Sequence, residues 1–299
     1  MSSESTYWLG IDGGGTRSEW IVADDNENVI ENIEGPPLQA SSISIAILLD
    51  RLKTMLQKFD LSHISGICAG ISGLGNPKTI MEMENALRFY VQNLPLIINS
   101  DAKITHKGTF EDGDGTLVIA GTGSIVLSRI NGNWYRRGGW GHVIGDPGSA
   151  HSIGLRFLRY VLLEEKIADY SQFLTAYFDT PKTDLELLEA DLLKAIYSDK
   201  FSPAILAPNL LIEAENGDSF IKNLILTEVN ELADSILYLY QKENNLSQRL
   251  ALHGGLLNNS FYLDTIQSLI KSRFSDIEFV ESPTPPALAA CRVIKRHLS

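Results

Sequence analysis

Five consecutive residues, Asp12-Gly13-Gly14-Gly15-Thr16, bring together a carboxylate, three backbone units without side chains and a hydroxyl. Glycine has no Cβ, so this stretch can turn tightly and let its N–H groups approach a large anion. A carboxylate beside such a turn can hold a hydrated divalent cation. The set suits a metal–polyphosphate, and Asp12 is the candidate metal ligand. A glycine hairpin turn without ligand is the plainer alternative. A second set, Gly121-Thr122-Gly123-Ser124, repeats the phosphate chemistry. Each set follows an apolar run, Tyr7-Trp8-Leu9-Gly10-Ile11 or Thr116-Leu117-Val118-Ile119-Ala120, of a length that reads as a buried strand. Two such turns facing one cleft could grip a nucleotide from both sides.

Phosphoryl transfer to an alcohol requires N–H donors around the phosphates, a metal ligand and a carboxylate to take the hydroxyl proton. Asp101 is the candidate base, delivered by Asn99-Ser100 at the end of the apolar run Leu96-Ile97-Ile98. Aspartate is also favoured as a helix N-cap, and both roles stay open. The loop 138–149 carries five glycines, with Trp140 and Asp146 among them. Asp146 could accept hydrogen bonds from sugar hydroxyls, and Trp140 could pack on the apolar face of a sugar. A mobile glycine loop with Trp140 anchored in a core is the alternative. His142 is the weakest candidate, because the six histidines show no metal-ligand spacing; a hydrogen-bonded structural histidine is the expectation.

These residues need elements to position them. Strands are expected at 7–11 and 17–23, with a third starting at Val29, and the same layout recurs at 116–120, 125–130 and 134–136. The turns Asp24-Asp25-Asn26-Glu27 and Asn131-Gly132-Asn133 close the hairpins. This is duplication at domain scale. Gly35-Pro36-Pro37 breaks the chain, and Ser41 or Ser42 is expected to cap a helix whose apolar face runs from Ile45 to Phe59. Next come a strand at 64–71, a helix at about 78–92 and a strand at 96–98. In the second half, helices are expected near 149–165, 184–197, 218–243 and 258–272, a strand at 249–253, and a last helix at 287–297 behind Pro285-Pro286. Such a mixed sheet with helices on its faces places ligands beyond the carboxyl ends of its strands, where Asp12, Ser72 and Asp101 stand. Asp112-Gly113-Asp114-Gly115 reads as the hinge between the halves.

The 299 residues, 44% of them apolar, suffice for two domains with substantial cores. Thirty-seven acidic against 25 basic residues give a formal charge of −12, which disfavours a nucleic acid or an anionic membrane as partner. It does not bar ATP, since Mg²⁺ and backbone N–H groups supply local positive charge. Cys68 and Cys291 are the only cysteines, and neither lies in a C-x-x-C motif. Reduced buried thiols, no evident signal peptide and no membrane-length apolar run give the expectation of a cytoplasmic protein.

Taken jointly, four motifs resemble the N-acetylglucosamine kinase and BadF/BadG-type ATPase family of the actin-like, sugar-kinase and heat-shock-70 ATPase superfamily. They are Leu9–Thr16, Ala120–Ser124, the loop Gly138–Ser149 and His253-Gly254-Gly255-Leu256-Leu257-Asn258-Asn259. The resemblance covers nearly the whole chain. It implies an α/β fold of two actin-like (ribonuclease H-like) domains, each a mixed five-stranded sheet with flanking helices, with the ATP cleft between them. Residues 1–114, completed by the C-terminal helix 285–299, would form the first domain and 115–284 the second. It implies Mg-ATP, phosphates held by Asp12, Gly13, Gly14, Gly15, Thr16, Gly121, Thr122, Gly123 and Ser124, and adenosine near Gly254 and Gly255. Asp101 would be the base, and the sugar would lie against Ser72, Thr122, Gly139, Trp140 and Asp146.

Two departures bear on the sugar. Gln39 is the nearest equivalent of a sugar-contacting asparagine common in the family, and Pro147 stands where an acidic residue is usual. The implied activity is phosphorylation of the 6-hydroxyl of N-acetylglucosamine or a related amino sugar, with a glucosamine or other hexose kinase as the alternative. An ATPase activator of an iron–sulfur enzyme, with a cluster held between two subunits by cysteines, is the alternative of another class. A sugar-sensing regulator is a third; the chain starts almost at its first strand, which leaves no room for a preceding DNA-binding module. A homodimer is left open.

Overall fold

The computed structural model describes residues 6–91, 94–111, 113–178, 184–198, 201–242, 248–282 and 285–299. Asp112 of the expected hinge, Met1–Ser5, and positions 92 and 243 at the ends of two expected helices lie outside them. The first sheet contains β1 (Tyr7–Gly13), β2 (Ser18–Asp24), β3 (Val29–Gly35), β4 (Ile64–Ile71) and β5 (Leu96–Ser100), in the order β3-β2-β1-β4-β5. The second contains β6 (Gly115–Ala120), β7 (Ser124–Ile130), β8 (Asn133–Gly138), β9 (Arg249–His253) and β10 (Glu278–Val280), in the order β10-β9-β6-β7-β8. Each is an antiparallel three-strand meander joined through its first strand to two parallel strands. The central strands β1 and β6 carry apolar runs because helices cover both faces of such sheets. Asn131 and Gly132 both take positive φ (49° and 79°), as the two-residue turn between β7 and β8 requires.

The helices are α1 (Ile45–Leu56), α2 (Pro77–Arg88), α3 (Asp101–Phe110), α4 (Ala150–Leu163), α5 (Ser171–Leu174), α6 (Leu185–Ile196), α7 (Ala207–Glu215), α8 (Ser219–Lys242), α9 (Ser260–Arg273) and α10 (Ala287–Leu298). The expected cap of α1 is corrected: Ser44, in extended backbone, accepts from the Ile47 N–H. Ser42 is occupied instead, its hydroxyl donating to Gln39 Oε1 at 2.9 Å. Phe59 lies past the end of α1, yet it is buried and stacks on Trp20 with ring centroids 5.8 Å apart. The helix expected from 258 starts at 260, because Gly255–Asn258 form a 3₁₀ turn and Asn259 caps α9. No described helix is long and apolar enough to cross a membrane.

One face of the first sheet packs on α1 and α2 around Leu9, Trp20, Leu52 and Ile67. The other face is covered by α10, from the far end of the chain, with Ala287, Ala290, Cys291 and Ile294 buried against Ile21 and Cys68. Three glycines admit it. A Cβ on Gly10 would overlap the Ala287 carbonyl oxygen; one on Gly66 would lie 2.6 Å from Ile294 Cγ1, and one on Gly108 2.6 Å from the Ala289 backbone. Arg292 adds a two-pronged ion pair to Glu27 at 2.7 and 2.6 Å. Alanine in a strand interior is ordinarily favoured over glycine. Gly10→Ala is expected to reverse that sign and destabilise the protein by about 1–3 kcal/mol, the usual cost of overpacking. Urea unfolding measures this, and an unchanged midpoint would contradict the close docking of α10.

Candidate active site

The first half of the site lies at the carboxyl ends of β1, β4 and β5. Gly14 N–H donates to Arg17 O at 3.0 Å and closes the turn into β2. The strand tips are laced to the segment 38–40: Leu38 N–H donates to Gly14 O (3.0 Å), Ser72 N–H to Gly13 O (2.8 Å) and Ala40 N–H to Ser72 O (2.8 Å). Gly13 is demanded by this lacing, since a Cβ there would stand 2.8 Å from Leu38 Cβ. Gly15 and Thr16 are exposed and free to meet a ligand. Gln39 bridges to Ser72, and its amide lies beside Gly15.

Asp101 is the first residue of α3, and it is not the cap. Ser100 takes that role, accepting from Lys103 N–H. The Asp101 carboxylate instead accepts from Ala102 N–H at 2.7 Å and from the Ser72 hydroxyl. Burial pushes its pKa up, and those two hydrogen bonds only partly oppose the rise. Asp12 is raised to about 7, first by burial, then by the charge of Asp101 and then by Glu19. Glu19 is not marked by any motif; it stands opposite Asp12 in the β1–β2 register, and the pairing implied by the turn at 14–17 could have revealed it. Crowded hard oxygen donors that repel one another fit a divalent cation. Among the described residues, no group of three or more His, Cys, Asp or Glu side chains forms a metal cage. Asp12 therefore fits an ion that keeps its own water and phosphate ligands, as Mg²⁺ does.

The second half gathers at the tips of β6 and β9. Gly121 N–H donates to Gly123 O at 2.9 Å, while Gly121 O and Thr122 O accept from Ala150 and His151 at the start of α4 (2.9 and 3.2 Å). Gly254 has φ +115°, and a Cβ there would overlap Ala120 O, so the 254–255 loop sits directly on the end of β6. Gly255 N is 3.9 Å from where a Gly121 Cβ would be. Thr122 and Gly139 are exposed. Asp146 is buried over Gly123, its Oδ2 2.7 Å from the would-be Cβ, and its carboxylate accepts from Gly141 N–H at 3.3 Å and from the N–H groups of Ser124 and Trp140. Burial raises its pKa. Trp140 is not anchored in a core: it is 55% exposed, with the Arg136 guanidinium 3.8 Å over its ring. His142 is exposed and lies 4.8 Å from the His151 ring. Asp12, Gln39, Ser72 and Asp101 thus form one group, and Gly121–Ser124, Gly139, Asp146 and Gly254–Gly255 another, each held by its own sheet.

Duplicated mixed sheets of this order, with glycine turns at the tips of both first strands, define the actin-like, sugar-kinase class of ATPase fold. Within that class, the chain belongs to the BadF/BadG/BcrA/BcrD ATPase family, whose sequence model matches residues 9–291. It is 27% identical over 316 residues to N-acetyl-D-glucosamine kinase of Dictyostelium discoideum, covering 97% of each chain. It is 25% identical over 313 residues to N-acetylmuramic acid/N-acetylglucosamine kinase of Clostridium acetobutylicum, covering 95% of this chain and 96% of that one. Its fold matches that of a Porphyromonas gingivalis protein provisionally named an N-acetylglucosamine kinase, with a TM-score of 0.72 at 17% identity and coverage of 94% and 96%.

The Asp12 shift has a definite sign. A carboxyl whose folded pKa lies above its ordinary 3.8 stabilises the fold while protonated, and that stability drains away as pH rises towards about 7. Asp12→Asn is therefore expected to raise the melting temperature of the ligand-free protein. The gain should be largest at pH 8 and shrink towards pH 4, with about 2–4 °C for each kcal/mol of desolvation and repulsion relieved. A gain that does not vary with pH in thermal melts would refute this account of the carboxylate pair.

Proposed function

We propose that this protein is an amino-sugar kinase that transfers the γ-phosphoryl group of Mg-ATP to the 6-hydroxyl of N-acetylglucosamine or a closely related sugar. The observation that carries the reading is Asp101: a half-buried carboxylate just past a strand tip, relieved of capping by Ser100, held by Ser72 and raised in basicity by its burial, with Asp12 nearby. Asp101 accepts the 6-hydroxyl proton as the sugar oxygen bonds to the γ-phosphorus. The bond from that phosphorus to the β–γ bridging oxygen breaks, and ADP leaves. When bound, Mg²⁺ would neutralise phosphate charge, and Asp12 would help to hold it. The turns Gly13–Thr16 and Gly121–Ser124 border the phosphates, with the exposed Gly15, Thr16 and Thr122 as the donors; Gly254 and Gly255 border adenosine, and Gln39, Ser72, Thr122, Gly139, Trp140 and Asp146 orient the sugar. Residues 1–114 with 285–299 act as one domain and 115–284 as the other. Their closure excludes water and limits ATP hydrolysis. The names of the Dictyostelium and Clostridium relatives support the sugar class.

The thiols favour this reading over an iron–sulfur activator. Cys68 on β4 and Cys291 on α10 are buried where the helix meets the sheet, 0% and 3% exposed, and burial raises both pKa values. Cluster ligation between subunits needs thiolates at a surface. The deciding experiment is a coupled ADP-release assay with a hexosamine panel at saturating Mg-ATP. Sugar-dependent turnover is expected with N-acetylglucosamine or a close analogue, and silence across the panel would end the proposal. In that assay Asp101→Asn is expected to lower kcat by about 10²–10⁴-fold, the range of a lost general base, while nucleotide affinity measured by calorimetry stays within a few-fold of wild type.

A further inference from the structure

We propose that Glu228 is a positioning residue that sets the sugar loop by holding the Gly148 peptide from behind. This rests on the assignment of loop 138–149 to the sugar. Glu228 lies on the inner face of α8 and is 1% exposed. Its Oε1 accepts from Arg156 Nε on α4 at 2.5 Å, and its Oε2 from Gly148 N–H at 3.0 Å. Arg156 also reaches Glu231 at 2.7 Å. From α9, the fully buried Tyr262 donates its hydroxyl to Gly148 O at 2.6 Å. Both polar groups of this residue are thus taken by side chains 80 and 114 positions away. Gly148 has φ +74°, and a Cβ on it would meet Leu232 Cβ at 2.8 Å and the Tyr262 hydroxyl at 3.0 Å. The backbone lies flat on α8 and α9.

A buried ion pair is weak support for stability, since apolar side chains of similar volume commonly serve as well. Here one carboxylate oxygen is devoted to a loop amide, and that is what an apolar residue could not supply. The neighbours of that amide belong to the site. Pro147 O accepts from the Ser124 hydroxyl at 2.7 Å, and Asp146 O from Ser149 N–H at 3.1 Å. By contrast, residues 140–145 are exposed; within them Ile144 and Gly145 donate back to Gly141 O. The loop has a stem pinned by side chains of α8 and α9 and an exposed tip, and Asp146 sits where they meet, holding the N–H groups of Trp140 and Gly141.

Glu228→Gln keeps the volume, but its single carbonyl oxygen can serve Arg156 or Gly148 and not both. Tyr262→Phe keeps the ring and removes the second tie; it reads the clamp independently if Glu228→Gln does not fold. Amide hydrogen exchange of the ligand-free protein and steady-state kinetics on the sugar and on ATP test both variants. The expected result is exchange at Gly148 faster by about tenfold or more, with KM for the sugar raised about fivefold or more and KM for ATP within about twofold. Unchanged exchange at Gly148 overturns the proposal, and so do KM values for sugar and ATP that rise together. If the wild-type protein turns over no hexosamine, the kinase reading falls, while the exchange measurement still decides whether Glu228 holds the loop.

Discussion

Negative charge held where water is scarce is the constraint on which this site depends. Asp12 and Asp101 end two strands of one sheet, and Glu19 faces Asp12 across the hairpin. A protein of formal charge −12 that gathers carboxylates at the tips of its central strands gains nothing in stability by doing so. The Ser72 hydroxyl and the Ala102 N–H offset part of the cost for Asp101, and still its basicity stays high. Such an arrangement is at ease only with positive charge beside it. On the proposed reading, a cation bringing phosphates would relieve Asp12, and the exposed residues 15, 16 and 122 would offer N–H groups to the anion that the carboxylates alone would repel.

The duplicated unit is used twice with different ends in view. In both sheets, a tight turn after the first strand leaves its neighbours open at the strand tips. In the first sheet, the turn is laced through Leu38 and Ser72 to a neighbouring strand, which fixes Asp101 relative to Asp12. In the second, the turn is tied to the N-terminus of α4, and the loop 138–149 is inserted between them. The first unit carries Asp12 and Asp101, and the second carries the loop 138–149 with Asp146, backed by α4, α8 and α9 around a single large core. α10 lets the two ends of the chain share one core, because glycines on β1, β4 and α3 leave room for its backbone.

Most of this was legible where local chemistry is unambiguous. The strand runs, the Asn131-Gly132 turn and the paired glycine motifs required no tertiary knowledge, and the expected strands 64–71 and 249–253 coincide with β4 and β9. The illegible parts have identifiable causes. α3 buries Thr105, His106 and Thr109 along with Ile104 and Phe110, so no apolar stripe marks it; His106 Nε2 pairs with the Gly115 carbonyl oxygen at 2.9 Å, at the start of β6. α7 holds Pro208 in its first turn, which reads as a break although that position tolerates it. The α1 cap was misplaced because three serines stand within four residues, and only the fold shows that Ser42 is engaged with Gln39. Glu228 was invisible as a functional residue: in sequence it is one acid among many on a long helix, and its meaning comes from a loop 80 residues away.

Pro147 illustrates how one departure from the family pattern can be absorbed by another part of the fold. Proline offers no side-chain acid to a sugar, but it fixes its own φ and restricts Asp146 to extended backbone. Its carbonyl is free to take the Ser124 hydroxyl, which binds the loop to the start of β7. The next N–H is met by a buried carboxylate from α8. An acid at 147 would act through its side chain on the ligand; the acid at 228 acts through the backbone on the residue that faces it. On the proposed reading, recognition at this position would come from the shape of the held stem, with Asp146 its one carboxylate. On that reading, this loop would discriminate by how well a sugar fits beside Asp146, whose carboxylate also holds the N–H groups of Trp140 and Gly141 at the start of the exposed segment 140–145.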